Sequence, residues 1–271
     1  MTAALVDAGW LREHLGDPGV AVVDCRWVLG RPGAGRQLYE LGHVPGAAFL
    51  DVDTDLAAPP GEGGRHPLPD VRDFERAARR AGVSRGIRVV SYDDSGEGGA
   101  ARLWWLLRHF GHDEAAVLDG GMRAWRNADG PEETGPPPER DGDFEARPRG
   151  DDVIEAAELR EVLGDARLSL LDARAPARFA GEHEAIDPVA GHIPGARNVP
   201  YRELAPEGRY LPSGELRELL GGEDFVAYCG SGVTACTLLL AADVAGLSGG
   251  RLYPGSWSEW SGLGLPGETS R

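Results

Sequence analysis

Four short stretches of this chain occur twice in the same order, and this internal repeat constrains the fold more than any other feature of the sequence. The matching pairs are VVDCRW (22–27) with LLDARA (170–175), GHVPGAAFLDV (42–52) with GHIPGARNVPY (191–201), VVSYDDSGEGGAARLWWLLRHFG (89–111) with FVAYCGSGVTACTLLLAADVAG (225–246), and VLDGGMRAW (117–125) with LYPGSWSEW (252–260). The spacing between the copies drifts along the chain, as loops of unequal length would produce. The sequence therefore predicts a duplicated domain.

Each copy alternates short β-rich runs with helical patterns. In the first copy the predicted strands are VAVVDC, AAFLDV, IRVVSY and EAAVLD. The predicted helices are DVRDFERAARRAG, with Asp70 as its N-cap and Gly82 at its end, and GAARLWWLLRHFG. Strands that alternate with helices predict an α/β fold, in which each domain is a central parallel sheet flanked by helices.

The boundary between the copies falls in a segment rich in proline, glycine and charge, GPEETGPPPERDGDFEARPRG. Such composition is typical of a linker on the protein surface. We therefore predict an N-terminal domain at 1–131, a linker at 132–149 and a C-terminal domain at 150–271.

Charge and composition exclude several functional classes. The formal net charge of −16 argues against nonspecific nucleic-acid binding, which depends on Lys and Arg. No apolar run approaches the roughly 20 residues that span a bilayer. The start of the chain, MTAALVDAGWLREHLG, lacks the features of a secretion signal and has the pattern of an amphipathic helix, so we predict a cytoplasmic protein.

The chain contains three cysteines, at positions 25, 229 and 236. They form neither a plausible disulfide framework nor a paired CxxC spacing, so no metal site is predicted and the thiols suit a reducing compartment. Cys25 and Cys236 have the pattern of small buried residues.

Cys229 differs because it joins a predicted central strand to a helix through a glycine-containing loop, CGSGVTAC. Doubly wound sheets bind their ligands at the carboxyl ends of strands. Gly230 and Gly232 allow the loop to curl so that its N–H groups point inward, and the helix N-terminus adds partial positive charge. These features favour a thiolate and predict a nucleophile; the plainer alternative is a buried cysteine at a strand end.

The first copy has Asp93 where the second has Cys229. A carboxylate cannot serve as a sulfur nucleophile. We therefore predict that the C-terminal domain is catalytic and that the N-terminal domain has lost this activity.

With these motifs in view, the whole chain resembles the two-domain rhodanese-type sulfurtransferases. The stretches that carry the resemblance are YCGSGVTAC, GHVPGA with GHIPGA, WWLLRHFGH, LDGGMRAW and YPGSWSEWS. The resemblance implies two tandem rhodanese-like domains and a Cys229 persulfide, which passes its sulfur to cyanide or to a thiol, including that of a thioredoxin-like protein. It implies no metal and no organic cofactor.

The same resemblance implies roles for further residues. Members that use 3-mercaptopyruvate have Gly-Ser-Gly after the cysteine, as this chain does at 230–232. A Ser–His–Asp relay that protonates the leaving group would consist of Ser231, His66 and Asp53. Alternatively, Asp53 caps a turn and His66 lines an interface. The residues implied in donor binding are Arg178, Gly230, Gly232, Val233 and Thr234.

One position departs from the family pattern. Mercaptopyruvate enzymes often have a second arginine nine residues after the one that matches Arg178, and this chain has Asp187 there. This change weakens the expected carboxylate clamp. His183, nearby in GEHEAIDP, could partly replace the missing arginine, although a solvated loop histidine is the plainer interpretation. Thiosulfate:cyanide transfer as the main activity, or a noncatalytic sulfur carrier, therefore stays open.

A phosphatase, which also uses a loop cysteine, is a rival of another class. Its loop resembles Cys-x5-Arg, in which the arginine clamps phosphate. The sixth residue after Cys229 is Ala235, and the loop contains no arginine. The sequence therefore argues against phosphatase chemistry.

Overall fold

The computed structural model describes residues 3–94, 96, 98–165, 168–222 and 224–270. The chain divides into two compact units, each of which includes a short segment from the other half of the sequence. The first unit consists of Met1–Ala58, Pro69–Arg149 and Pro206–Tyr210, and the second of Pro59–Leu68, Gly150–Ala205 and Leu211–Arg271. The contiguous bounds 1–131, 132–149 and 150–271 stay a prediction from the sequence.

The first unit is built on a parallel sheet with the strand order β1-β5-β4-β2-β3. Its elements in chain order are β1 (Leu5–Val6), α1 (Ala8–Glu13), β2 (Val20–Asp24), α2 (Ala34–Leu41), β3 (Ala48–Phe49), α3 (Val71–Arg80), β4 (Arg88–Tyr92), α4 (Gly99–His109), β5 (Ala115–Leu118) and α5 (Gly121–Asn127). The four strands and two helices predicted in this copy are confirmed. The Asp70 side chain caps α3 by accepting the Arg72 N–H at 2.8 Å.

The prediction of one helix at the start of the chain was wrong in part. Leu5 and Val6 form β1 and pair with Val117 and Leu118 of β5. The helix begins only after Asp7, whose carboxylate accepts the Trp10 N–H at 2.7 Å. This cap and the sheet edge together fix where the helix starts.

The second unit has a four-stranded parallel sheet with the order β7-β6-β8-β9. Its elements are α6 (Ala156–Val162), β6 (Ser169–Asp172), α7 (Pro176–Ala180), β7 (Arg197–Asn198), α8 (Tyr201–Leu204), α9 (Ser213–Leu220), β8 (Phe225–Tyr228), α10 (Ala235–Val244), β9 (Arg251–Leu252) and α11 (Ser256–Gly262). Both units are thus α/β, each with a parallel sheet flanked by helices, as predicted.

The duplicated motifs VVDCRW and LLDARA make the same buried ion pair in the two units. Arg26 Nη2 lies 2.6 Å from Asp24 Oδ2, and Arg174 Nη2 lies 2.7 Å from Asp172 Oδ2. In each unit the arginine also donates at 2.7 Å to the carbonyl of the glycine that opens the repeated GH motif. Because these charges are paired and hydrogen-bonded, truncating one partner would leave the other buried alone, at a cost of about 3–5 kcal/mol.

Each unit has its own apolar core under the sheet. Tyr92 and Trp125 are fully buried in the first unit, and Tyr228, Trp257 and Trp260 in the second. Replacing one of these tryptophans with alanine would cost about 3–5 kcal/mol. In the described part of the chain, no helix combines the length and the apolarity required to cross a membrane.

Candidate active site

Cys229 follows the last residue of β8 and opens the loop that leads into α10. The cysteine is 2% exposed, and its Sγ accepts the Gly232 N–H at 3.1 Å. Its own N–H donates to Ser256 Oγ at 3.1 Å, and its carbonyl accepts the Trp257 N–H at 3.0 Å. The backbone is therefore fixed on both sides of the sulfur, at the carboxyl end of a central strand.

The two glycines of the loop are required for different reasons. Gly232 has a φ of +78°, and a methyl group there would lie 2.4 Å from the Pro254 carbonyl oxygen. A methyl group at Gly230 would lie 2.7 Å from Arg65 Nη2. Gly232 thus permits a left-handed turn, whereas Gly230 leaves room for a cation beside the cysteine.

The rest of the loop turns directly into the helix. Val233 is buried, and its carbonyl accepts the Cys236 N–H at 3.1 Å. Thr234 stands at the N-cap position of α10, with no capping hydrogen bond from its side chain. The partial positive charge of this helix end therefore lies at the end of the cysteine loop.

Ser231 and His66 lie together, as the sequence predicted for a relay. His66 Nδ1 and Ser231 Oγ are 2.7 Å apart, and both side chains are buried. The segment that carries His66, Pro59–Leu68, belongs to the second unit although the rest of that unit begins only at Gly150. Asp53 belongs to the first unit, where its carboxylate accepts the Trp27 Nε1–H at 2.9 Å.

Arg178 lies at the loop but is engaged by two carboxylates. It donates to both oxygens of Glu184 at 3.0 Å and to Asp187 Oδ2 at 2.9 Å. A methyl group at Gly230 would lie 3.4 Å from Arg178 Nη1, so the guanidinium faces the residue after the cysteine. His183 is exposed on the surface.

Sequence reasoning missed Arg65. Its Nη1 donates to Asp187 Oδ1, and its Nη2 faces Gly230. Burial lowers the pKa of Arg65, and the charge of the nearby Cys229 acts in the opposite direction. An arginine in a polar loop belongs to no periodic pattern that would single it out. The available signal for a role in the site was its position directly before His66.

In the corresponding loop of the first unit, the side chain of Asp93 accepts hydrogen bonds from the loop backbone. Asp93, which follows β4, accepts the Gly96 N–H at 2.8 Å on Oδ1. Its Oδ2 accepts the N–H groups of Gly98 at 3.1 Å and Ala100 at 3.3 Å. The N–H groups at the start of α4 thus donate to the carboxylate of Asp93.

The remaining cysteines lie in settings that suit structural thiols. Cys25 is fully buried, and burial, reinforced by Asp24 and Asp93, raises its pKa well above the ordinary value. Cys236 donates its thiol to the Gly232 carbonyl at 3.4 Å.

Comparison with known proteins gives concordant results. The family model described as "Rhodanese-like domain" matches residues 7–128 and 155–263. A Pseudomonas aeruginosa protein named "Probable 3-mercaptopyruvate sulfurtransferase" is 45% identical over 270 residues, which cover 96% of this chain and 95% of the relative. A Mycobacterium tuberculosis protein, provisionally named a thiosulfate sulfurtransferase, is 42% identical over 91% of this chain and 89% of its own length. The crystal structure of the 3-mercaptopyruvate enzyme SseA from Escherichia coli superposes with a TM-score of 0.83 at 34% identity, over 95% of this chain and all of SseA.

Proposed function

The chain belongs to the rhodanese-like family and is a sulfurtransferase, and we propose that it takes sulfur from 3-mercaptopyruvate and carries this sulfur as a persulfide on Cys229. The observation that supports this choice of donor is the 2.7 Å hydrogen bond between Ser231 and His66. Ser231 lies only two residues after the nucleophile. A donor whose carbon fragment leaves as an enolate requires a proton, which this pair can deliver.

In the first half-reaction the Cys229 thiolate attacks the thiol sulfur of the donor. The new S–S bond uses the electron pair of the thiolate, and the pair of the broken C–S bond leaves with the carbon. Protonation of that carbon releases pyruvate and leaves the enzyme as Cys–S–SH. The Gly232 N–H, which already points at Sγ, helps to orient the sulfur during the attack.

The proton comes from Ser231, which regains one from His66. The buried Ser231 hydroxyl and the imidazole share a short contact, so a proton can move between them without a water molecule. Asp53 is proposed as the third residue of the relay, after Ser231 and His66. Asp53→Asn tests this part: the proposal expects slower turnover of 3-mercaptopyruvate, and an unchanged kcat would remove Asp53 from the relay.

Arg178 is proposed to bind the donor's carboxylate, and the loop residues Gly230, Gly232, Val233 and Thr234 to surround the reacting sulfur. In the second half-reaction an acceptor thiolate or cyanide attacks the outer sulfur of the persulfide and restores the Cys229 thiolate. We propose a small thiol or a thioredoxin-like dithiol as the acceptor. All three cysteines are buried thiols that form no disulfide, which suits a reducing compartment such as the cytoplasm.

Thiosulfate is the second candidate donor, and one observation favours it. Position 187, where 3-mercaptopyruvate enzymes often have a second arginine, is an aspartate whose Oδ2 accepts from Arg178 at 2.9 Å, so the expected carboxylate clamp lacks that arginine. The test is steady-state kinetics with each donor in turn, following pyruvate or sulfite. The proposal expects the larger kcat/KM with 3-mercaptopyruvate, whereas a preference for thiosulfate would overturn the choice of donor.

A further inference from the structure

Two arginines flank Gly230, and the second of them, Arg65, comes from a distant part of the sequence. A methyl group at Gly230 would lie 2.7 Å from Arg65 Nη2 and 3.4 Å from Arg178 Nη1. Both guanidinium groups therefore reach the same point of the backbone, one residue after the nucleophile. The segment Pro59–Leu68, which carries Arg65, belongs to the second unit, as does the cysteine loop.

Arg65 is held in register with the cysteine loop by its backbone. Its N–H donates to Ser258 Oγ at 3.1 Å, and the Ser258 N–H donates to the Gly230 carbonyl at 2.9 Å. Gly64 allows this approach, because a methyl group there would lie 2.7 Å from Ser258 Oγ and 2.8 Å from the Gly255 carbonyl oxygen. The loop, Ser258 and Arg65 are thus joined by consecutive hydrogen bonds.

Asp187 orients both cations at once. Its Oδ1 accepts from Arg65 Nη1 and its Oδ2 accepts from Arg178 Nη2 at 2.9 Å. The Asp187 side chain is 2% exposed, whereas those of Arg65 and Arg178 are 24% and 18% exposed. The carboxylate is therefore buried behind the two guanidinium groups, which keep an accessible part.

Arg65 also has hydrogen-bonding capacity that the protein does not use. Its Nε is buried and has no hydrogen-bond partner among the described residues. A buried donor without a partner is unfavourable, so its retention beside a nucleophile indicates a ligand that accepts from it.

The geometry points to Arg65 as the second cation of the donor site, which with Arg178 binds the carboxylate of a 2-oxo acid, while Asp187 acts as a positioning residue for both. This inference rests on the proposed function and adds a specificity-determining residue to it. Arg65 supplies the second charge from another segment, although position 187 is acidic. A planar guanidinium suits this role because it can donate two parallel hydrogen bonds to one carboxylate.

The test compares Arg65→Ala, Arg65→Lys and a matched control, Arg251→Ala. Arg251 belongs to the same unit, is 31% exposed and pairs with Glu158 at 2.7 Å. With 3-mercaptopyruvate as donor and 2-mercaptoethanol as acceptor, Arg65→Ala should raise KM by about ten- to a hundredfold with a smaller change in kcat. Arg65→Lys should recover part of this loss, and Arg251→Ala should leave KM unchanged.

Two further measurements separate a binding role from a structural one. The inhibition constant of pyruvate, which has the carboxylate but no sulfur, should rise in Arg65→Ala in parallel with KM. Discharge of a preformed Cys229 persulfide by 2-mercaptoethanol should proceed at the wild-type rate, because that half-reaction involves no donor carboxylate. Equal slowing of both half-reactions would show that Arg65 is structural and would overturn the inference.

If Arg65→Ala does not fold, Arg65→Gln serves in its place, since its amide can still donate to Asp187. An unchanged KM and pyruvate inhibition constant in a folded variant would overturn the inference alone. Failure of the wild-type enzyme to form a Cys229 persulfide from 3-mercaptopyruvate would instead overturn the proposed function, so the two failures are distinguishable.

Discussion

The loops after β4 and β8 belong to the same repeated sequence motif, but their backbone N–H groups have different acceptors. In the first unit Asp93 accepts three backbone N–H groups at 2.8–3.3 Å, so the loop contains its own anion. In the second unit the residue at the same place is Cys229, and the Gly232 N–H points at its sulfur. The residue at this position therefore determines whether the loop N–H groups meet a carboxylate of the chain or a sulfur that can react.

The surroundings of the two loops differ as well. Around Cys229 the second unit places Arg65, Arg178 and the Ser231–His66 pair. A nucleophile becomes useful only where cations bind the donor and a proton source serves the leaving group. The difference between the units is therefore the whole constellation and not the cysteine alone.

Cys229→Ser should cause the largest loss of activity. Turnover with every donor should fall by something on the order of 10⁶-fold, because a serine hydroxyl is barely ionised near neutral pH and cannot form a persulfide. Cys236→Ser, which changes a thiol in the same unit, should keep most of the activity. Adding Asp93→Cys to Cys229→Ser should restore nothing, and recovery of turnover in that double variant would contradict the account.

Ser231→Ala should have the next largest effect, and it should depend on the donor. Loss of the proposed general acid should lower kcat for 3-mercaptopyruvate by about a hundredfold, whereas sulfite leaves thiosulfate without needing a proton. Steady-state kinetics with both donors check this expectation. Equal losses with the two donors would mean that Ser231 only shapes the loop.

Arg178→Ala should lower kcat/KM for both donors, because both are anionic. Loss of one charge-assisted contact costs about 1.5–3 kcal/mol, which corresponds to a loss of roughly ten- to a hundredfold. Arg197→Ala is a suitable control, since Arg197 belongs to the same unit and donates to the carbonyls of Leu219 and Leu220. Unchanged kinetics for Arg178→Ala would show that other groups bind the donor.

Asp93→Ala should affect stability and not chemistry. Three N–H groups lose their acceptor, so the free energy of unfolding should fall by about 1–3 kcal/mol, measured by urea denaturation. The kcat of the folded variant should match that of the wild type. A large loss of kcat without loss of stability would contradict this expectation, because it would show that the loop of the first unit takes part in catalysis.

The parts of the fold that the sequence predicted depend on local signals. The Asp70 cap and the apolar pattern of Val71–Arg80 determine α3 without help from distant residues. β1 was missed because only pairing with β5 makes Leu5–Val6 a strand. Tertiary pairing overrode the helical pattern at that point.

The same distinction applies to the site. Cys229, Gly230 and Gly232 lie within four consecutive residues, so their loop could be predicted from spacing alone. His66 and Ser231 were paired only through the family resemblance, and their contact spans 165 residues. Arg65 was missed because nothing local indicates that Pro59–Leu68 folds with the second unit.

The most direct test of the central claim is mass spectrometry of the wild-type protein after treatment with 3-mercaptopyruvate in the absence of an acceptor. The account expects about 32 Da, the mass of one sulfur atom carried by the nucleophile, on the peptide that contains Cys229, with the peptides of Cys25 and Cys236 unchanged. Release of pyruvate with no added sulfur on Cys229, or with the sulfur on another cysteine, would contradict it.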